Sequence, residues 1–209
     1  MKTSPAKCLV ELRSQLQSLR KLDALNQRQL STMRRREEGL TKAQLHVLTE
    51  AIFFAAFRAY EHFMGNIFIL YCCGVQPNKR RLIRPYLKPR TLKHAEELIK
   101  SSMPFLDWSS PDSVIERAET YLKEGYPIKD VISSNIEPLR DLKRIRNHIA
   151  HMSIESHKEY LKTVKRHYGV VPLKVPRPGE FLLFTQTGST LYYLVDYIQL
   201  INNVATQLG

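Results

Sequence analysis

Between Thr41 and Cys73 the chain carries Leu45, Leu48, Ile52, Phe53, Ala56, Phe57, Tyr60, Phe63, Met64, Ile67, Phe68 and Tyr71. Their spacing is helical, and together they cover more than one side of the helix. A helix that is apolar nearly all round has to be buried on several faces, which makes this stretch the central helix of a bundle. Thr41 in front of it is a suitable N-cap. Arg58, Glu61, His62 and Asn66 interrupt the apolar residues, so no run approaches the roughly 18 needed to span a membrane. A buried charge needs a partner. Arg58 and Glu61, three apart, can supply each other on one helix face.

The rest of the chain reads as helices to pack around this one, an all-α fold. From about Ser4 to Arg36, Leu9, Leu12, Leu16, Leu19, Leu22 and Leu25 mark an amphipathic helix that serves as a bundle helix or as an arm onto a second subunit. Arg34, Arg35 and Arg36 suit its negative end and read as a solvated cap before Gly39. Thr91–Met103 and Pro111–Glu124 are short helices, the second opened by Ser110-Pro111-Asp112, with Trp108 packing the connection. Gly125-Tyr126-Pro127 breaks the chain, and Pro138 predicts a kink or a helix restart at Glu137. Ser153–His167 is a polar, basic helix with Tyr160, Leu161 and Val164 inward and with His157 and His167 in solvent. Gly169–Gly188 is a loop in which Val170-Val171 and Phe181–Phe184 are candidates for a small β-hairpin near 170–187. Leu191, Leu194, Val195, Ile198, Ile201 and Val204 give a last amphipathic helix that closes the bundle or forms a dimer face. A length of 209 residues suits a single domain. Its core is about 40–168, with an N-terminal helix in 1–39 and a loop plus C-terminal helix in 169–209.

Charge narrows the class of partner. Lys and Arg number 32 against 20 Asp and Glu, a formal net charge of +12. That balance favours a polyanion, nucleic acid first and an anionic membrane surface as its rival. Gly74–Arg90 concentrates it: Lys79, Arg80, Arg81, Arg84, Lys88 and Arg90, no acid, and Tyr86 as a stacking surface, stiffened by three prolines. These seven residues are the RNA-binding candidates, with a merely solvated charge run as the alternative. Met1–Leu12 lacks the apolar region of a signal peptide, and a cytoplasmic location is expected. Three cysteines, with Cys72 and Cys73 adjacent, offer neither a disulfide framework nor a Cys/His metal pattern, and the pair reads as core.

The chemistry concentrates in Leu142–Met152. Leu139, Leu142, Ile145 and Ile149 form an apolar stripe at helical spacing, and Arg146, Asn147 and His151 fall opposite it. At about 100° per residue, Asn147 and His151 lie roughly 40° apart around the helix, Arg146 and His151 about 140°. A guanidinium that can hold a phosphate in two places, near an imidazole that titrates close to neutrality, is chemistry suited to a phosphodiester.

Arg146-Asn147-His148-Ile149-Ala150-His151 resembles the R-(N/D/H)-x-x-x-H motif of HEPN domains, small helical bundles found in bacterial toxins and antiviral effectors, many of which cut RNA without a metal. The resemblance covers about residues 40–168 and is nearest to the RNase-LS-like and phage-defence members. The HEPN toxins partnered by a nucleotidyltransferase carry a Tyr two residues after the His; here Ser153 stands there. The resemblance implies an up-and-down bundle with extra terminal helices and a metal-independent endoribonuclease with no cofactor. RNA is then cleaved by attack of its 2′-hydroxyl on the adjacent phosphorus. Arg146 would balance charge on the phosphorane, His151 would move the proton, and Asn147 would orient His151 or the phosphate. It further implies a homodimer with a composite site, a toxin or anti-phage role, and a cognate antitoxin or sensor. Tyr60-Glu61-His62-Phe63 matches an acidic setting seen on the central helix of such bundles, which makes Glu61 a supporting residue that faces and holds Arg146. His148 is either a second supporting residue, as a further catalytic or RNA-contacting group, or an exposed residue between motif positions. A zinc site from His148, His151 and His157 lacks an acidic or Cys partner. The non-enzymatic alternative is a catalytically silent HEPN scaffold or a nucleotide- or RNA-binding module.

Overall fold

A computed structural model of the chain describes residues 4–32, 40–77, 82–101, 106–185 and 191–209. Among these residues the fold is all-α. In chain order the helices are α1 (Pro5–Thr32), α2 (Lys42–Cys72), α3 (Leu92–Lys100), α4 (Pro111–Tyr121), α5 (Ile128–Ser133), α6 (Ile136–His151), α7 (Ile154–Tyr168), α8 (Pro178–Leu182) and α9 (Tyr193–Leu208). No described helix is long and apolar enough to cross a membrane. The residues divide into two compact units, neither continuous in sequence. The first comprises Met1–Ser14, Ala59–Arg140 and Ile201–Gly209, the second Gln15–Arg58 and Asp141–Leu200.

Local chemistry sets the helix ends. Thr41 and Gln44 form a reciprocal capping box: the Gln44 amide donates to the Thr41 hydroxyl (3.3 Å) and the Thr41 amide to the Gln44 side chain (2.7 Å). The Thr91 hydroxyl accepts from the His94 amide (3.1 Å), and Pro111 opens α4 in its first turn. Pro138 lies in the first turn of α6, where a missing N–H costs nothing, so the chain restarts at Ile136 rather than kinking.

In the first unit, Phe63, Met64, Ile67, Phe68 and Tyr71 of α2 are buried together with Ile99, Val114, Ala118, Ile132 and Leu139. Trp108 rests on Phe68, with ring centroids 5.1 Å apart. Gly65 makes room for it, since a Cβ there would stand 3.0 Å from the indole nitrogen. The Arg117 guanidinium lies 5.1 Å from the Trp108 ring centroid and donates to the Asp107 carbonyl. The Tyr71 hydroxyl donates to the Leu208 carbonyl, and Arg13 reaches Thr206 of α9 at 2.9 Å.

In the second unit, Ile52, Phe53, Ala56 and Phe57 of α2 are buried, as are Leu142, Ile145, Tyr160, Val164, Phe181 and Ile198. Buried Asn26 donates to the Thr49 hydroxyl (2.9 Å) and the Leu45 carbonyl (3.3 Å). The segment expected as a β-hairpin is different. Among the described residues there is no strand, only isolated bridges at Pro85–Leu122 and Thr185–Tyr192. Pro178 stands in the first turn of α8, and the adjacent Phe181 and Leu182 are both fully buried, which the alternation of a half-exposed strand forbids. Val170 and Val171 are exposed, and residues 186–190 lie outside the described residues. Gly179 passes so close to His46 that a Cβ would meet its carbonyl oxygen at 2.3 Å, and its amide donates to Glu50 (2.8 Å). The apolar stripe of α9, from Leu194 to Val204, is buried within the chain itself. Arg58 is exposed, so its charge needs no buried partner. Arg34, Arg35, Arg36 and Met103 lie outside the described residues.

Candidate functional site

The candidate motif occupies the last two turns of α6, in the second unit. Leu142 and Ile145 anchor that helix by burial, which turns Arg146 towards α2. There its guanidinium carbon lies 5.6 Å from the ring centroid of Phe54 and 6.0 Å from that of Phe57, within cation–π range of both. One of its terminal nitrogens donates to the side-chain oxygen of Asn147 (3.0 Å). Two rings and one amide thus fix the plane of the guanidinium before any ligand arrives. Phe57 was legible only as core and Phe54 not at all; the signal was their spacing of three on the helix that must face the motif.

His151 is the last residue of α6 and is exposed. The chain then turns within two residues. Met152 takes a left-handed φ of 46° while its amide donates to the His148 carbonyl (3.1 Å). Ser153 caps α7 by accepting from the Ser156 amide (3.1 Å). Since α6 is helical from Ile136 to His151, the separation of about 140° between Arg146 and His151 stands. Arg146 is folded onto the aromatic rings, and His151 points elsewhere, into solvent. Asn147 is half-buried and lies between them.

His148 is not the exposed residue that one reading of the motif expected. Its ring stacks on Tyr160 (centroids 4.9 Å, planes 20° apart), its Nδ1 lies 3.3 Å from the Ser156 hydroxyl, and its Nε2 lies 3.5 Å from His157 Nδ1. Burial first, and the neighbouring His157 second, push its pKa below the ordinary histidine value. It fastens α6 to α7. His157 is half-buried by the same contact. Among the described residues no group of three or more His, Cys, Asp or Glu is placed to hold a metal ion.

A buried polar cluster in this unit includes none of the candidate site residues. Asp141 is fully buried and accepts from Thr163 Oγ1 (2.8 Å), Arg166 Nε (2.6 Å) and an Arg144 terminal nitrogen (3.1 Å), with His167 Nε2 at 3.3 Å. Burial pushes its carboxyl up, but hydrogen bonds from His167 and Thr163 and the charge of Arg166 outweigh this and hold it below the usual carboxylate range. An acid flanked by Leu139 and Leu142 on the buried stripe was the available signal, because such a charge demands partners. His167, expected in solvent, is instead enclosed. Its ring lies 4.4 Å from Tyr193 and 5.4 Å from Phe181, and its Nε2 is 3.1 Å from the Tyr197 hydroxyl. Thr163, Arg166 and His167 of α7, gathered by one carboxylate, tie that helix to the root of the motif helix.

The remaining candidates are dispersed. Glu61 is half-buried on α2 and belongs to the first unit, whereas Arg146 belongs to the second. Arg84, Tyr86, Lys88 and Arg90 are exposed in the first unit, and Lys79, Arg80 and Arg81 lie outside the described residues. Compared with known proteins, the chain matches no family model, no curated protein and no solved structure.

Proposed function

We propose that the chain is a metal-independent endoribonuclease of HEPN type, acting as a homodimer in the cytoplasm as a toxin or anti-phage effector. One observation carries the reading most: the Arg146 guanidinium is preorganised by Phe54, Phe57 and Asn147, and it lies five residues before an exposed His151 at the helix end. A fixed guanidinium is worth more to a developing dianionic phosphorane than a mobile one, because no reorganisation is needed as charge develops. In the reaction the RNA 2′-oxygen bonds to the adjacent phosphorus, the bond from phosphorus to the 5′-oxygen breaks, and the products are a 2′,3′-cyclic phosphate and a 5′-hydroxyl. His151 moves one of the two protons, and Asn147 keeps Arg146 in register. The exposed cations and Tyr86 of the segment 82–90 add sequence-independent attraction for the strand. A cognate antitoxin or sensor would restrain the activity in the cell.

The test is RNA cleavage by the purified chain in excess EDTA, beside Arg146→Ala and His151→Ala, with product ends identified. Cleavage by the unaltered chain with cyclic-phosphate ends, reduced on the order of 10² or more by either substitution, supports the reading. Equal cleavage by all three refutes it. RNA binding without cleavage by any of them leaves the scaffold or RNA-binding module as the function.

A further inference from the structure

A cavity of about 250 Å³ opens in the first unit, lined by Leu82, Arg84, Lys123 and Tyr126. None of the motif residues contributes to it. We propose that it is a binding site for a nucleoside phosphate, with Arg84 and Lys123 holding the phosphate and Tyr126 and Leu82 enclosing the base.

The backbone builds this cavity deliberately. The segment carrying Arg84 is zipped to the one carrying Lys123: the Lys123 amide donates to the Arg84 carbonyl (2.8 Å), and the Tyr86 amide donates to the Tyr121 carbonyl (3.0 Å), around the Pro85–Leu122 bridge. Gln76 completes the clamp with its side-chain amide, accepting from the Ile83 amide (2.8 Å) and donating to the Ile83 carbonyl (2.9 Å). Ile83 is thereby buried, and extended alternation turns its neighbours Leu82 and Arg84 outward. On the other wall the chain makes a tight turn at Lys123–Gly125, where Gly125 has a φ of +69° and a Cβ would lie 2.8 Å from Lys129 Cβ. That turn delivers Tyr126 to the cavity on the heels of Lys123.

Electrostatics favours an anion. Among the described residues no carboxylate lines the cavity, and neither Arg84 nor Lys123 forms an ion pair. Other cations of the same unit are already committed: Lys129 to Glu119 at 2.5 Å, and Arg140 to Asp112 and Glu137. A guanidinium beside an ammonium is the pairing that holds a phosphate, the first through two parallel hydrogen bonds and the second as a point charge. A phenol ring and a leucine beside them supply the flat apolar surface a base stacks on. The size limits the ligand: ligand clefts run from about 300 Å³ upward, so this one takes a single nucleotide unit and no more. The unit is either a free mononucleotide or one nucleotide of an RNA strand. The inference does not depend on Arg146 and His151 being catalytic.

Isothermal titration of the full chain with AMP, adenosine, inorganic phosphate and a short 2′-O-methyl RNA, which resists cleavage, tests it. AMP or the RNA should bind, and Arg84→Ala with Lys123→Ala should weaken that binding about tenfold or more. Both cations are exposed, so the double variant keeps the fold, which its unchanged melting temperature checks. Tyr126→Leu should weaken AMP and leave phosphate as it was. Binding of AMP identifies a free-nucleotide site, and binding of the RNA alone identifies a strand subsite. AMP or RNA binding left unweakened by the double variant, phosphate binding as tightly as AMP, or no binding of any probe overturns the proposal.

Discussion

Replacing Asp141 by Asn should loosen the motif helix without touching the motif. The carboxylate is fully buried and gathers Thr163, Arg144, Arg166 and His167, so the substitution removes the charge that all four groups address while keeping the shape. Breaking a buried ion pair costs about 3–5 kcal/mol where the abandoned charge cannot reach water. Arg144 and Arg166 are partly exposed and can be rehydrated, so a loss of about 2–3 kcal/mol is expected at neutral pH. Urea unfolding followed by circular dichroism measures it. The pH dependence gives an independent check. The folded-state pKa of Asp141 is held below the unfolded value of about 3.9, so its stabilisation is present above that value and is lost as pH falls through the folded pKa. The gap between the two proteins should therefore be constant from pH 7 to about 5 and narrow below about 4. A difference under about 0.5 kcal/mol at pH 7 would refute the claim that this carboxylate clasps α6 to α7, as would a gap that does not narrow in acid.

Three further outcomes follow from single contacts. Phe54→Leu removes one of the two rings under Arg146 and should lower the RNA cleavage rate by roughly tenfold, the worth of one cation–π contact, while gel-shift affinity for RNA stays unchanged. The His148 pKa lies below its unfolded value, so protonation penalises the folded state. Stability should fall as pH drops below about 6.5, and His148→Gln should flatten that fall in urea titrations at pH 7.5 and 5.5. Gly179→Ala forces a methyl to within 2.3 Å of the His46 carbonyl oxygen and should destabilise by about 1–3 kcal/mol, read from the same denaturation midpoint.

The helices were legible wherever a repeat of three and four ran long enough to define a face. The stretch from Leu45 to Tyr71 reads directly as one long buried helix, and Thr41, Thr91 and Pro111 mark starts because capping is local chemistry. Phe181–Phe184 suggests a strand because it is short and apolar, a pattern that strand and buried helix share; the deciding contacts, made by the adjacent Gly179, come from Glu50 and His46, more than 120 residues away. The motif could be located but not its surroundings. That Arg146 lies on Phe54 and Phe57, or that His167 shares Asp141 with Arg166, depends on which helix faces which, and helical spacing within one segment carries no such information. Asp141 is the instructive omission. An acid among buried leucines is anomalous in the sequence alone, and the anomaly predicts a set of donors even though it cannot name them.

The angle between Arg146 and His151 leads to the most discriminating experiment on the proposed chemistry. One side of α6 cannot present both groups, since about 140° of helix separates them and Arg146 is occupied by its aromatic rests. If a second copy completes the site, one protomer contributes Arg146 and its partner contributes His151. Each symmetric dimer then holds two such sites. Mixing Arg146→Ala protein with His151→Ala protein, each inactive alone, should then restore cleavage, because the mixed dimer assembles one intact site from the two unaltered side chains. With random exchange half of the dimers are mixed and each carries one working site of two, so recovery should approach about a quarter of the unaltered activity. Met152 and Ile154, 77% and 71% exposed on the turn after His151, supply apolar surface beside that histidine; Met152→Lys should reduce both dimer formation and recovery. No recovery from a mixture that sedimentation shows to be dimeric and exchanged would mean that Arg146 and His151 act within one chain or not together, and the composite site would have to be abandoned.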